Sequence, residues 1–347
     1  MSSKKYFFGW GNIKKGITEL IKIYSHQPSF FSKKRIESGI AFIVAQWGMV
    51  FFLLKKYPDL SMTDIVMWAS IEFGISGYIL HQIQKEKKLG NTEMTDTMIK
   101  DGLWDAYNDK HMGTCAEMCV NKNSFSREDL DNFALSSHQK AAYASEQGFF
   151  KNEILAIESR SDANTGSLIY QDEGIRYDAS IEALSGLKTV IDEGLITAGN
   201  ASQITDGASA VMVCNDAGLK KIKVDPRAEI ISLSVVGDDP VFMLTGPIPA
   251  SIAALKNINL SIDDMDLYEI NEAFAPVPLA WAHELKADIS KLNVNGGAIS
   301  LGHPLGSTGT KLMTTLLHEL ERRNGKYALQ AICEGGGTAN ATIIKRL

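Results

Sequence analysis

Cysteine is scarce. The 347 residues hold four, Cys115, Cys119, Cys214 and Cys333, and none lies in the first 91. The start is polar, and no small-residue cleavage site follows an early apolar run. This usage excludes a disulfide scaffold and leads us to expect reduced thiols in a cytoplasmic protein. His111, Cys115 and Cys119 stand at i, i+4 and i+8, so a helix would place them on one face. That spacing could hold a metal, but a fourth ligand is not evident. Small buried thiols are the preferred reading, and no metal site is expected. Low-complexity segments are missing too. Basic charge is short over most of the chain: residues 1–91 carry 13 Lys+Arg against 6 Asp+Glu, leaving 22 against 35 for the remainder. The acidic bulk argues against a nucleic-acid partner. With 45% hydrophobic and 22% charged residues the chain reads as globular.

What is present divides in two. Gly39–Leu54 is an uncharged, mostly apolar run closed by Lys55 and Lys56, and Ile65–Ile83 is a second, interrupted by Glu72, His81 and Gln82. Tyr57–Ser61 is a turn signal between them. Each run is near the lower limit for a spanning helix. The pair reads as a basic α-helical hairpin at or in a membrane. The alternative is a soluble hairpin that packs its apolar faces elsewhere. Upstream, Trp10–Tyr24 reads as an amphipathic helix suited to an anionic surface. Membrane contact is therefore expected for residues 1–90.

After the charged boundary Gln84–Met94 the pattern changes. Ser126-Arg-Glu-Asp resembles a capping box and opens a helix over Glu128–Gln147. A strand is expected at Phe150–Ile157, a short helix at Ser180–Leu187 and a buried strand at Ala208–Cys214. Helices are expected at 217–222, 249–257, 273–285 and 308–323. They alternate with strands at 228–236, 266–270, 292–294, 328–333 and 340–346. Such alternation indicates a layered α/β fold.

Three motifs follow expected strands: Asn271-Glu-Ala-Phe, Gly302-His-Pro and Cys333-Glu-Gly-Gly-Gly. Strand ends are where α/β sites assemble. Histidine can take a thiol proton and cysteine can carry one or attack a carbonyl. Gly335, Gly336 and Gly337 leave N–H groups open to a substrate oxygen. Each motif alone is weak, and the bland reading of each is structural.

Together and in this order they carry a resemblance. NEAFA, NVNGGAISLGHPLGSTGTK and CEGGGTANATII are similar to the C-terminal motifs of the thiolase family. Thr92–Met118 looks like the start of that family's loop domain, and ITAGNASQITDGASAV resembles its CoA-contacting segment. The resemblance spans about residues 92–347. It implies an α/β thiolase-like layered fold with an inserted loop domain and an incomplete first half, preceded by the helical hairpin. The implied divisions are 1–91 for the hairpin, 92–194 for the loop domain, 195–223 for a remnant of the N-terminal domain and 224–347 for the C-terminal domain.

The resemblance also implies chemistry: thiolytic cleavage of a 3-oxoacyl-CoA, or the reverse condensation. The position of His303 implies activation of the acylated cysteine, and that of Cys333 proton transfer at the α-carbon. Asn271 would hold an oxyanion-hole water, and Gly335 would offer its backbone N–H. His111, Met112 and Ser202 would contact CoA, while Ala273 and Phe274 would line the acyl pocket. CoA and acyl-CoA are expected as substrates, with no permanently bound cofactor, and a homo-oligomer if the core is completed. The family's acylated cysteine lies upstream of the loop domain, where this sequence has none, so impaired acyl transfer is expected. A catalytically inactive CoA or acyl-CoA binding module held at a membrane by residues 1–90, or a membrane-associated structural protein with a passenger thiolase segment, are the alternatives.

Overall fold

The computed structural model describes residues 95–105, 107–159 and 166–347. The expected hairpin and amphipathic helix lie outside the described residues. Among the described residues, no helix is long and apolar enough to cross a membrane. Thr95–Leu347 forms one compact unit.

The unit begins with helix α1 (Thr97–Gly102) and a minimal hairpin of β1 (Trp104–Asp105) and β2 (Lys110–His111). Helices α2 (Met112–Asn123) and α3 (Arg127–Glu146) follow. The capping box of α3 is formed: Ser126 Oγ accepts from the Asp129 amide at 3.1 Å, and Asp129 Oδ2 accepts from the Ser126 amide at 2.8 Å. A second small hairpin, β3 (Ile157–Glu158) with β4 (Leu168–Ile169), precedes α4 (Ile181–Ser185) and α5 (Asp216–Ile222).

The body of the unit is a four-stranded sheet in the order β5-β8-β7-β6, formed by β5 (Ala228–Gly237), β6 (Leu267–Ile270), β7 (Tyr327–Glu334) and β8 (Thr338–Arg346). Neighbours are antiparallel except β6 and β7, which run parallel. Alternation along the strands divides the sheet into two faces. Tyr268, Ile270, Leu329, Ala331, Ala341 and Ile343 share one apolar cluster with residues of α6 (Pro247–Asn257) and α7 (Pro276–Leu285). Leu267, Ala328 and Ile344 on the other face pack against Leu316 and Leu320. Those two leucines belong to α9 (Thr308–Arg322), which follows the short α8 (Ala298–Leu301). The expected Leu312, Leu316, Leu320 stripe is the buried face of α9. Both α6 and α7 start on a proline, Pro247 and Pro276, whose missing N–H has no intrahelical partner to lose.

Three sequence expectations are corrected. Phe150–Ile157 is not a strand: Gly148 (φ 70°) ends α3, and a 3-10 turn at Phe149–Asn152 tucks Phe150 beside Ala141 and Ala144. The 292–294 strand is reduced to isolated bridges, such as Tyr268 with Leu292. Ala208–Cys214 is neither a strand nor buried, with Met212 and Val213 70% and 69% exposed. A strand needs a neighbour to take its backbone groups, and among the described residues none pairs with this segment.

Candidate active site

The parallel pair β6 and β7 delivers two of the candidate residues at the same end of the sheet. Asn271 directly follows β6, and its amide continues the ladder by donating to the Ala331 carbonyl at 3.1 Å. Cys333 lies two residues further along β7, half-buried, just before the three-glycine turn into β8. A Cβ on Gly335 would meet nothing within 4 Å, so the backbone there faces open space.

His303 reaches the site from the loop between α8 and α9. Its Nε2 lies 3.2 Å from Asn271 Nδ2, and its Nδ1 lies 2.6 Å from Thr308 Oγ1. Gly302, at φ 83°, turns the chain into this loop, a conformation that disfavours any side chain. Glu272 sets the floor. It is fully buried and accepts from Ser137 Oγ (2.8 Å), Asn293 Nδ2 (2.8 Å) and the Ile299 amide (3.1 Å). Gly297 lies so near that carboxylate that a Cβ would run into it. A packing role for glycine, as well as a turning role, is thus present.

The segment around Ser202 ties these loops together. The Ala275 amide donates to Asn200 O at 2.9 Å, the Ser202 amide to Ala273 O at 3.0 Å, and the His303 amide to Gln203 O at 3.1 Å. Ser202, Ala273 and Phe274 are therefore neighbours, and they adjoin Asn271 and His303. His111 caps α2, its Nδ1 accepting from the Gly113 amide at 3.0 Å, while Met112 packs against the main core. That end of the chain reaches the β7–β8 turn through Tyr107, whose ring is 3.1 Å from where a Gly336 Cβ would stand. Asn271 and His303 are joined by a hydrogen bond; Cys333 is bonded to neither. A solvent-open groove of about 410 Å³ runs past the histidine loop, lined by residues 205–209 and 304–307.

Burial governs the ionisation. Together with the Lys311 cation it lowers the His303 imidazole to about 4, so the ring is neutral near pH 7. Burial raises the Cys333 thiol to about 12 and the Cys119 thiol to about 11. A neutral imidazole can accept a proton, and a protonated thiol needs such an acceptor before it can attack or shuttle. Cys115 and Cys119 are buried in α2, with Cys119 Sγ directed at the Pro276 carbonyl, so they are small core residues as expected. Sequence reasoning overlooked Gln203, whose Nε2 donates to the Gly174 and Ile299 carbonyls at 2.8 Å each, and Thr308. A polar residue between two glycine-rich motifs carries no periodic signal. Thr308 did, as a hydroxyl at the start of an amphipathic helix just after a histidine.

Comparison with known proteins decides the family. Residues 65–217 match the thiolase N-terminal domain and residues 224–346 the thiolase C-terminal domain. The chain belongs to the thiolase family. The N-terminal match begins at residue 65, within the segment set apart on composition.

This thiolase chain is 51% identical over 232 residues to a steroid 3-ketoacyl-CoA thiolase of Mycobacterium tuberculosis, covering 67% of the chain and 56% of that protein. It is 44% identical to an acetyl-CoA acetyltransferase of Paracoccus denitrificans, covering 75% of the chain and 66% of that protein. Human mitochondrial 3-ketoacyl-CoA thiolase is 42% identical, with 77% of the chain and 68% of that protein covered. The crystal structure of Bacillus anthracis acetyl-CoA acetyltransferase superposes with a TM-score of 0.71 at 38% identity, covering 75% and 66% of the two chains. The human mitochondrial enzyme in complex with CoA also gives 0.71 at 38% identity, covering 81% and 75%. The chain thus spans 56% and 66% of the first two relatives' own length.

Proposed function

We propose that this chain binds CoA and acyl-CoA at the strand-end site, and that its acyl transfer is impaired. The reaction class is that of a 3-oxoacyl-CoA thiolase, cleavage by CoA or the reverse condensation. The observation that carries the reading is the Asn271–His303 hydrogen bond at the end of the parallel strand pair that also bears Cys333.

In this reading His303 is the base. Its neutral ring takes a proton at Nε2 and then presents N–H to an oxyanion. Asn271 supports it, and the amide oxygen Oδ1, buried with no partner in the protein, is free to accept from a water. Cys333 moves the proton at the α-carbon, and the Gly335 N–H faces the thioester oxygen across open space. Ser202 and His111 contact CoA; His111 has its Nδ1 committed to the helix cap and offers Nε2. Ala273 and Phe274 line the acyl pocket beside them. Impairment follows from the cysteines: two are buried in α2, Cys214 ends the exposed 208–214 segment, and Cys333 has its own task. Self-association into a homo-oligomer belongs to the same proposal.

The test is incubation of the full chain with labelled acetyl-CoA, followed by quenching and peptide mass spectrometry, alongside calorimetric titration with CoA. CoA binding without label on any cysteine is the expected result. Label on Cys333 overturns the impairment. Absence of CoA binding overturns the CoA reading altogether.

A further inference from the structure

The two ring nitrogens of His303 face different kinds of partner. Asn271 presents its amide nitrogen to Nε2, and an amide nitrogen can only donate. With the amide in this orientation Nε2 holds a lone pair and the ring proton sits on Nδ1. Thr308 Oγ1 stands 2.6 Å from Nδ1 and must therefore accept. The threonine hydroxyl has a single proton, which goes to the Pro304 carbonyl at 3.0 Å, an oxygen also approached by the Ser307 and Thr308 amides and by Ser307 Oγ at 3.3 Å. The chain of donors runs in one direction from Asn271 through the imidazole and Thr308 to Pro304.

Thr308 is well built to hold this arrangement. It is buried and occupies the first position of α9, so its backbone is fixed by the helix. The proline carbonyl it bonds lies one residue beyond the histidine, so ring and hydroxyl are tethered to the same turn. We infer that Thr308 is a positioning residue: it fixes the tautomer of His303 so that Nε2, the nitrogen facing the site, is the one able to receive a proton. With the opposite tautomer Nε2 would carry N–H and could not act as a base. The inference rests on the reading of His303 as a base, yet its test observes the ring and not turnover.

The full chain is labelled with ¹⁵N-histidine, and the ring nitrogens are read by long-range ¹H–¹⁵N correlation at neutral pH. His303→Gln identifies the His303 signals among the seven histidines. Nδ1 in the pyrrole-type region with Nε2 in the pyridine-type region is expected for the wild type and for Thr308→Ser, which keeps the hydroxyl. Thr308→Val should lose this preference, and signal should move toward the Nε2–H form. A wild-type ring already in the Nε2–H form overturns the inference, even if the valine variant does not fold. A valine variant with the wild-type pattern overturns the role of Thr308. Neither result touches CoA binding, so failure here is distinct from failure of the proposed function.

Discussion

Glu272 shows how much one side chain can organise. It stands next to Asn271, and its carboxylate holds α3 through Ser137, the β6 end through Asn293 and α8 through the Ile299 amide. Burial raises its pKa, while those hydrogen bonds oppose the rise. Replacing it by alanine would leave the Ile299 amide and one Asn293 Nδ2 proton without an acceptor, and Ser137 Oγ with Ser300 Oγ as its remaining hydroxyl partner. Glu272→Ala should lower stability by about 3 kcal/mol or more, read as the shift of a urea midpoint. An unchanged midpoint would show that the network contributes nothing. At this scale the sequence marked candidate residues and was silent about their supports. Asn271, His303 and Cys333 could be picked out because glycines and strand ends mark them. Ser137 sits on a helix whose periodicity says only that the position faces inward, and its partner is 135 residues away. Contacts over such distances leave no local trace.

Among the elements, α9 bears the most instructive polar face. Glu153, from the loop after the Phe149–Asn152 turn, lies beneath it and accepts from Thr315 Oγ1 at 3.1 Å, with His318 Nδ1 at 3.6 Å. Lys311, Asp172 and Glu319 complete its charged surroundings. Burial raises Glu153 from 4.5 to about 7, against the lowering effects of Thr315 and Lys311. Between those pH values the folded state holds a proton that the unfolded chain has released. Stability therefore falls as pH rises through the window. The loss from this group is at most about 3 kcal/mol. Glu153→Gln should reduce the decline between pH 5 and pH 8 by that order, measured by chemical denaturation at both values. An identical decline in the variant would remove Glu153 as its source. The helix itself was plain in the sequence because a leucine repeats every four residues. Phe150–Ile157 misled for the opposite reason: a short apolar run has the same look in a strand and in a turn that buries one aromatic ring.

For the molecule as a whole, the sheet is covered unevenly. On the face where α9 packs against β6 and β7, the edge strand β5 leaves Val235 76% exposed, together with Leu233. Met212 and Val213 add further exposed apolar surface. Surfaces of this kind promote association. The double substitution Met212→Lys and Val235→Lys should reduce concentration-dependent light scattering of the full chain while leaving its melting temperature nearly unchanged. Equal scattering before and after would mean these residues take no part in association. The layered α/β class was legible from the alternation of patterns beyond residue 217. The exposure of Ala208–Cys214 was not, since an apolar stretch reads as buried whether or not a neighbouring strand exists to cover it.

The ribbon around Ser202 has its main chain engaged along both margins, with the asparagine loop on one side and the histidine loop on the other. The Ser202 and Gln203 amides and the Gln203 carbonyl are all taken, so a visiting molecule meets mostly side chains there. Such a rail tolerates exchange of what it displays without loosening what it holds, which gives descendants of this chain latitude to alter whom they grip while the asparagine and histidine loops stay in place.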